Sequence, residues 1–428
     1  MKKVICFAVF LIFILSACST SQPMSETVPA QDGVGEIGAV NRPFPQHVAY
    51  VEGSILPNQR SQDQLDQDVR DFYDYWRAAY VLDAGIDTSG NQLYRIAFGQ
   101  AGEDYKQTVS EGQGYGMIIT AVMAGYDLEA QAIFDGLWCF VRAHPSEVDP
   151  RLMDWKVPES EYGDDSAFDG DADIAFGLLL ADAQWGSEGA VDYRTEAMNL
   201  ISAIKESTIG PDSRLPMLGD WVGEGNETYN QYTPRSSDFM LVNFHAFAAA
   251  TGDETWIEVI TNSRQVLSEL QINYSPNTGL IPDFIVLSGE GHVPQPAPPG
   301  FLEAPSDGQY SYNAGRVPWR VASEVLLYGY TDSADIALRI SHWAEEVASG
   351  DPYFIKAGYD LDGTPLPDSD YFTTFFAAPM GVAAMLDPKQ QEWLNSIYDA
   401  VYNTHEDYYE DSVTLLCLIT MTGNMWVP

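Results

Sequence analysis

The sequence predicts an all-α protein in which about a dozen helices form two concentric rings, an α/α toroid. Three observations support this prediction. Apolar residues recur at three- and four-residue steps in several segments, other segments are apolar nearly all round, and strand-like runs are few and short. A helix that is apolar all round is buried, and an amphipathic helix covers it. The rough alternation of the two types therefore indicates an inner and an outer ring.

The two types of predicted helix follow one another along most of the chain. One apolar face at helical spacing marks segments 65–80, 174–185, 197–204, 256–270, 336–347 and 393–401. Apolar residues on every side mark segments 117–124, 239–250, 321–327 and 375–386. The best strand-like run is 279–287, and four prolines between positions 294 and 299 predict an irregular, rigid loop.

The first residues have the composition of an export signal. Lys2 and Lys3 precede an apolar run over 4–15, and small residues lead to Cys18 in an arrangement similar to a bacterial lipobox. We expect residues 1–18 to be a lipoprotein signal peptide, with Cys18 lipidated after cleavage. The protein would then be exported by a bacterium and held at the cell surface or outer membrane by this lipid alone.

The chain after the signal peptide consists of a tether and one domain, with the boundary after residue 43. Residues 19–43 are rich in Ser, Pro, Gly and Gln without periodicity, which is typical of a flexible tether. We find no composition change after residue 43, so we expect residues 44–428 to form one domain. We expect this domain to act as a monomer.

The charge balance limits the partners. The chain has 62 acidic and 21 basic side chains, a net charge of −41. Nucleic acids and anionic lipid surfaces need a basic footprint, so the balance argues against both as partners. We interpret this acidity first as solubility or salt adaptation. The alternatives are attraction of a cationic substrate such as a polyamine sugar and calcium sites, for which the sequence has no EF-hand-like loop.

Cysteine and histidine give no sign of a metal centre. After removal of residues 1–18 only Cys139 and Cys417 remain, both in apolar surroundings, and we expect buried free thiols with one disulfide as the alternative. The six His residues show no metal-ligand spacing. We expect no metal and no other cofactor.

The first candidate motif surrounds Glu111. This carboxylate lies where the apolar helix begins, a position that the helix dipole favours, and Ser110 is predicted to cap the helix. Gly112, Gly114 and Gly116 remove side chains from its surroundings, which would let a ligand approach the backbone. A capped helix start without any other role explains the same local pattern equally well.

The second candidate motif places Asp169, Asp171 and Asp173 at the start of an apolar helix. The helix dipole accounts for one or two acidic residues there, but not for three beside an apolar helix. An acidic, well-capped helix start remains the alternative.

The third candidate motif lies between residues 301 and 320. It combines the carboxylates of Glu303 and Asp307 with the amide of Asn313, the guanidinium of Arg316 and several aromatic rings. In glycoside cleavage one acid protonates the leaving oxygen and a second carboxylate activates water or attacks. Aromatic faces stack on sugar rings, and amides bind hydroxyl groups. The alternative is a proline-bent loop whose aromatics pack on the core.

Together these motifs resemble the landmarks of glycoside hydrolase family eight, in the same order and at fitting separations. The matching runs are SEGQGYGM at 110–117, AFDGDADIA at 167–175 and YNAGRVPWR at 312–320. The resemblance implies an all-α (α/α)6 barrel with an open cleft and inverting endo-hydrolysis of a β-1,4-linked glycan. It implies that Glu111 is the general acid and that Asp169 holds and distorts the sugar. It further implies that the cleft is lined by Tyr115, Trp155, Arg316 and Trp319.

One departure from the family pattern concerns the general base. Asn313 stands where many members have an Asp, and an amide cannot take a proton from water at neutral pH. Asn313 resembles a second branch of the family, which uses a Glu from a nearby loop. Glu303 matches that Glu best, and Asp307 is the reserve candidate. The branch includes chitosanases and enzymes that cut mixed-linkage or cellulose-like glucans. A second, minor departure is Phe168 before Asp169.

On this resemblance we expect an exported endo-β-1,4-glycanase that acts on cellulose-like or mixed-linkage β-glucan. Chitosan is the alternative substrate, supported by the acidic charge balance and by Asn313. A surface glycan-binding lipoprotein that has lost catalysis is the alternative function. Asp238 either lines the cleft or caps a helix, and Tyr371 and Phe372 either border the cleft or pack in the core.

Overall fold

The computed structural model describes residues 40–158, 164–223 and 226–428, which contain twelve α-helices. Six of them are buried on almost every side: Ser110–Val122 (α2), Phe168–Trp185 (α4), Leu241–Thr251 (α6), Val317–Tyr328 (α8), Thr374–Ala384 (α10) and Tyr408–Met421 (α12). Six others bury one face: Gln62–Tyr80 (α1), Ala130–Ala143 (α3), Tyr193–Thr208 (α5), Thr255–Asn273 (α7), Ala334–Val347 (α9) and Gln391–Val401 (α11). The expected signal peptide and most of the expected tether, residues 1–39, lie outside the described residues.

The buried helices form a closed inner ring. Along the chain α2 contacts α4, α4 contacts α6, α6 contacts α8, α8 contacts α10, α10 contacts α12, and α12 returns to α2. The remaining helices pack on this ring from outside: α1 on α12, α3 on α2, α5 on α4, α7 on α6, α9 on α8 and α10, and α11 on α10. The predicted all-α (α/α)6 barrel is confirmed.

Helix α1 shows how the sequence pattern sets an outer helix. The predicted apolar stripe is fully buried: Leu65, Val69, Phe72, Tyr73, Trp76 and Tyr80. Ser61 caps the helix, since its side chain accepts a hydrogen bond from the Gln64 amide while the Gln64 side chain accepts one from the Ser61 amide. Such a cap contributes about 1 kcal/mol.

The periodicity missed or misassigned three helices. Segment 174–185 predicts an amphipathic outer helix, but α4 lies in the inner ring and is buried throughout Phe168–Ala181. The reason is that the residues between the apolar positions are mostly small or apolar as well, so no face needs water. Helices α3 and α12 were not predicted at all.

In the part of the chain that the structure describes, six short strands form three antiparallel pairs. They are Val81–Ile86 (β1) with Gln92–Ile96 (β2), Thr108–Val109 (β3) with Lys156–Val157 (β4), and Ile285–Ser288 (β5) with Val293–Pro296 (β6). Only the end of the strand-like run 279–287 is therefore a strand. The proline-rich segment, expected as a loop, begins as β6, because proline is tolerated on the edge of a two-stranded sheet.

Glycines bring α2 and α4 close together. A Cβ atom on Gly170 would lie 2.1 Å from the Ser110 hydroxyl oxygen, and one on Gly114 would lie 2.6 Å from the Asp173 Cβ. Of the three glycines expected to admit a ligand, Gly114 thus makes room for a neighbouring helix, Gly112 for the Tyr408 ring and Gly116 for the Ile96 side chain. The predicted cap at Ser110 is also wrong, since Val109 is the N-cap residue and no partner of the buried Ser110 hydroxyl lies in the described part of the chain.

The described chain is attached to the barrel from its first residues. Arg42, expected in the tether, donates its amide to Gln184 Oε1 at 2.7 Å and places its guanidinium 4.7 Å from the ring centroid of Trp426. Cys139 and Cys417 are free thiols, and Cys417 is buried. Within the described ranges no helix combines the length and apolar character that crossing a membrane requires.

Candidate active site

The first turns of several inner helices meet at one end of the barrel. Glu111 is the second residue of α2 and Asp169 the second of α4, while Arg316 directly precedes α8 and Tyr408 opens α12. Hydrogen bonds join Arg316 to both carboxylates and Tyr408 to Glu111. Because the N-terminal end of a helix carries partial positive charge, this end of the barrel stabilises clustered carboxylates.

Glu111 is a partly buried carboxyl group that remains reachable from solvent. Its Oε2 lies 2.6 Å from Arg316 Nη1, its Oε1 accepts the Tyr408 hydroxyl at 3.1 Å, and its side chain is 16% exposed. Burial raises the pKa of Glu111 to about 7, because desolvation together with the nearby Asp169 charge outweighs the attraction of Arg316. Glu111 can therefore hold a proton near neutral pH.

Asp169 has the opposite electrostatic character. Its Oδ1 lies 3.2 Å from Arg235 Nη2 and its Oδ2 lies 2.9 Å from Arg316 Nη1. Burial alone would raise the pKa of Asp169, but the charges of Arg235 and Arg316 lower it to about 2. Two neighbouring carboxyl groups thus differ in protonation at neutral pH, which is the division required of an acid and an ionised partner.

Asn313 and Arg316 join Glu303 to this pair. Arg316 Nη2 donates to Asn313 Oδ1 at 3.0 Å, and Asn313 Nδ2 donates to Glu303 Oε2 at 2.8 Å. Glu303 also faces Arg235 Nη1 at 3.6 Å, and its side chain is 46% exposed. Glu303 and Glu111 therefore lie at the two ends of one hydrogen-bonded chain, with the guanidinium and the amide between them.

The Asp307 carboxylate is bonded to backbone amides of its own loop. It is buried and accepts the amides of Leu302, Glu303 and Ala304 at 2.7, 3.0 and 2.9 Å. These bonds fix the loop that carries Glu303. They also occupy both carboxylate oxygens, so the geometry favours Glu303 over Asp307 as the group that meets a ligand.

Asp283, which the sequence did not reveal as a site residue, fixes the backbone around Asn313. Its Oδ1 accepts the amides of Ser311, Asn313 and Ala314 at 3.0, 3.2 and 2.7 Å. Burial raises the pKa of Asp283 to about 8. Asp283 lies inside the run 279–287, and an acidic residue among apolar ones was the feature of the sequence that could have marked it as a site residue.

Arg235 is a second missed residue. Besides Asp169 and Glu303 it contacts Asp238, whose Oδ1 accepts its Nε at 3.0 Å. Asp238 is buried in the short turn Ser236–Asp238, so it neither lines the cleft nor caps α6. Burial raises the pKa of Asp238 to about 7, although Arg235 opposes the shift. The sequence signal for Arg235 was its positive charge in a strongly acidic chain.

Tyr115 and Trp319 do not line a cleft, contrary to the expectation. Both are buried, and the Tyr115 hydroxyl accepts Arg316 Nη1 at 3.2 Å. Trp319 packs against the guanidinium of Arg320, which makes a two-pronged ion pair with Asp173 at 3.1 and 2.6 Å. This pair lies one helical turn below Arg316 and Asp169 on the same two helices. The two aromatic rings therefore support the charged residues from inside the barrel.

A cavity of about 550 Å³ opens beside the charged cluster. Trp155 lines it, as expected, together with Trp221 and Tyr229, whose rings meet edge to face at a centroid distance of 5.3 Å. Its polar lining is formed by Asp165, Ser166, Arg235 and Glu303. Apolar rings opposite a few fixed polar groups suit a chain of sugar rings. In the described residues no three or more His, Cys, Asp and Glu side chains are arranged to hold a metal ion.

Comparison with known proteins agrees with this architecture. The family model described as Glycosyl hydrolases family 8 matches residues 66–423. A β-glucanase from Niallia circulans is 42% identical over 392 residues, which cover 91% of this chain and 92% of the relative. An endoglucanase from Bacillus sp. (strain KSM-330) is 38% identical over 410 residues, covering 94% and 86%.

Solved structures show the same fold. The apo structure of a β-1,3-1,4-glucanase from Paenibacillus sp. X4 matches with a TM-score of 0.86 and 41% identity, covering 91% of this chain and all of the other (100%). A GH8 xylanase from Teredinibacter turnerae, 19% identical, matches with a TM-score of 0.71 over 86% of this chain and 96% of its own. At that identity the second match concerns the fold alone.

Replacement of Arg316 by methionine tests the central contact. Arg316→Met leaves Glu111 and Asp169 buried without their shared cation, so we expect the free energy of unfolding to fall by about 3–5 kcal/mol. Glu111, whose pKa is already raised by burial, would bind its proton still more tightly in the folded variant than in the unfolded chain, whereas Asp169 keeps its contact with Arg235. The loss should therefore be larger at pH 8 than at pH 5, as measured by urea unfolding.

The matched control is Arg339→Met on α9, where the arginine is exposed and has no ion pair with another described residue. We expect a change within about 0.5 kcal/mol there. Equal effects of the two substitutions would contradict a central role for Arg316.

Proposed function

Because the chain belongs to glycosyl hydrolases family 8 and is a glycoside hydrolase, we propose that it is an endo-β-glucanase that cuts β-1,4 bonds in cellulose-like or mixed-linkage β-1,3-1,4-glucan. The relatives with more than a third identical residues support the substrate class, since they are a β-glucanase, an endoglucanase and a β-1,3-1,4-glucanase. The aromatic cavity beside Glu303 supports an extended, neutral substrate.

The observation that carries the proposal is the chain Glu111–Arg316–Asn313–Glu303. It places one guanidinium and one amide between the two carboxyl groups and so keeps them out of direct contact. A direct displacement by water needs an acid and a base about 6.5–9.5 Å apart, because the water must fit between the base and the sugar. We propose that the enzyme inverts the configuration at the cleaved carbon.

Glu111 has the properties of the general acid. Its raised pKa lets it carry a proton near neutral pH, and its partial exposure lets that proton reach a glycosidic oxygen. The proton moves from Glu111 to the leaving oxygen as the bond to the anomeric carbon breaks. Arg316, already bound to Oε2, then stabilises the carboxylate that remains.

Glu303 has the position of the general base. Half exposed, it can take a proton from a water molecule whose oxygen attacks the anomeric carbon. Asn313 cannot do this chemistry itself, but its amide holds Glu303 Oε2. Asp169 stays ionised between Arg235 and Arg316, where it can accept a sugar hydroxyl beside Glu111. These contacts support the Asn313 branch of the family as the closest mechanistic parallel.

Two alternatives are weaker. Chitosan is polycationic, and the acidic chain, with Asp165 and Glu303 beside Arg235 in the cavity lining, would attract it, but the relatives with more than a third identical residues are named as glucanases. A glycan-binding protein without catalysis would not need a carboxyl group with a pKa near 7, linked through Arg316 and Asn313 to a second, half-exposed carboxylate.

We further propose that Cys18 is lipidated and holds a monomeric enzyme at the bacterial surface or outer membrane, on the strength of the lipobox-like start. Labelled fatty acid incorporated into the wild type but not into Cys18→Ser would support this anchor. Wild-type protein found only in the medium would refute it.

The acid–base pair is tested on a panel of mixed-linkage β-glucan, carboxymethyl cellulose, xylan and chitosan. We expect reducing-end release from the two glucans, falling by about 10²–10⁴-fold in both Glu111→Gln and Glu303→Gln. The matched control is Glu290→Gln, an exposed residue outside the site, which should retain full activity. Proton NMR of the first products should show the α-anomer, the product of inversion.

Each other outcome has a clear meaning. Activity that survives Glu303→Gln would assign the base elsewhere, with Asp307 next to be tested. A β-anomer as first product would show retention. Binding without hydrolysis of any polymer would favour the non-catalytic alternative, and chitosan as the preferred polymer would overturn the substrate class.

The pH dependence follows from Glu111. Since its pKa is about 7, kcat/KM on mixed-linkage β-glucan should fall about tenfold per pH unit above that value, as the acid loses its proton. A dinitrophenyl glycoside needs no protonation of its leaving group, so its hydrolysis should lack this alkaline limb. The same limb on both substrates would contradict the assignment of Glu111 as the acid.

A further inference from the structure

A second hollow lies at the cleft end of the barrel. It has a volume of about 420 Å³ and is walled by two loops, 305–311 and 357–371. These loops lead into α8 and α10, as the loops of the first cavity lead into α4, α6 and α8. We call this hollow the side groove. Residues Leu302 and Glu303 face the first cavity and Pro305 and Ser306 face the side groove, so one loop separates the two.

An aromatic ridge borders the side groove. Tyr353 and Phe354 are 57% and 58% exposed, and Tyr371, which lines the groove, is 48% exposed. The ring of Phe372 lies 4.8 Å from that of Tyr353 and connects the two segments. Adjacent exposed aromatic side chains of this size mark a binding surface. Their flat apolar faces suit the faces of sugar rings.

The groove also offers polar groups that are free to bind. Gln309 and Asp368 line it, and neither side chain has a hydrogen bond or ion pair with another of the residues that the structure describes. The hydroxyl oxygens of Ser306 and Ser311 lie 3.5 Å apart in its wall. Hydroxyl and amide groups beside aromatic faces are the combination that binds glycans.

Tyrosine side chains link the side groove to Arg316. The Tyr371 hydroxyl lies 2.9 Å from the Tyr312 hydroxyl, and the Tyr312 carbonyl accepts the Tyr409 hydroxyl at 2.7 Å. The ring of Tyr409 lies 5.7 Å from the guanidinium of Arg316. A run of tyrosines therefore leads from Arg316 to the groove.

We propose that the side groove binds a β-linked glucan chain outside the cavity of Trp155 and Trp221, and so keeps the polymer on the enzyme between cuts. This inference rests on the proposed endo-β-glucanase function and deepens it. A neutral chain fits better than a cationic one, because all of the described residues that line the groove are uncharged except Asp368.

The test uses the double variant Tyr353→Ala/Phe354→Ala, which leaves every residue of the catalytic cluster in place. In a Glu111→Gln background, its affinity for soluble mixed-linkage β-glucan should fall about tenfold in affinity electrophoresis. With Glu111 present, its rate on a short glucan oligosaccharide should equal that of the wild type. Tyr330→Ala is the matched control, since Tyr330 is 46% exposed and follows the other end of α8.

If the wild type hydrolyses β-glucan but the double variant binds the polymer as tightly as its parent, the inference is overturned and the proposed function stands. Equal losses on polymer and oligosaccharide would also overturn it, because they would assign the ridge to the catalytic cleft. A wild type without hydrolysis would instead refute the proposed function. Tighter binding to chitosan than to β-glucan, lost in Asp368→Asn, would overturn the choice of a neutral chain.

Discussion

The guanidinium of Arg316 is the contact on which the site depends. It is buried, yet it bonds Glu111, Asp169, Asn313 and Ser237, which come from different parts of the chain. A planar group with five donors can serve several acceptors in fixed directions, which an ammonium group cannot do. The position of each carboxyl group is therefore set relative to the others by one side chain. Arg320 and Asp173 repeat the ion pair one turn deeper and keep α4 and α8 in register.

Burial and neighbouring charges give the buried acidic residues different pKa values and therefore different roles. Desolvation raises the pKa of Glu111, Asp238 and Asp283, whereas two guanidinium groups lower that of Asp169. The first-turn positions of the inner helices reduce the cost of gathering carboxylates, since helix dipoles point their positive ends at the cluster. The same acidic residue type thus yields a proton donor, an ionised partner and structural anchors.

The alternation of inner and outer helices explains why function is confined to one end of the barrel. Each inner helix begins at that end, so every loop from an outer to an inner helix contributes to its surface. The glycines of α2 and α4 let Glu111 and Asp169 approach one another, because Gly114 and Gly170 remove the Cβ atoms that would hold the helices apart. The packing of α2 against α4 therefore also sets how closely the two carboxyl groups of the site approach each other.

The sequence by itself determined the two rings and the motifs of Glu111, Asp169 and Arg316, because helical periodicity and helix-start chemistry are local properties. Local pattern could not show that α4 is an inner helix or that Tyr115 and Trp319 are buried, since exposure depends on partners far away in the chain. Nor could it find Arg235 and Asp283, whose roles arise only where separate loops converge. The contact between Asn313 and Glu303 was decided by tertiary structure alone: Asp307 holds the loop that carries Glu303, and Asp283 holds Asn313 opposite it.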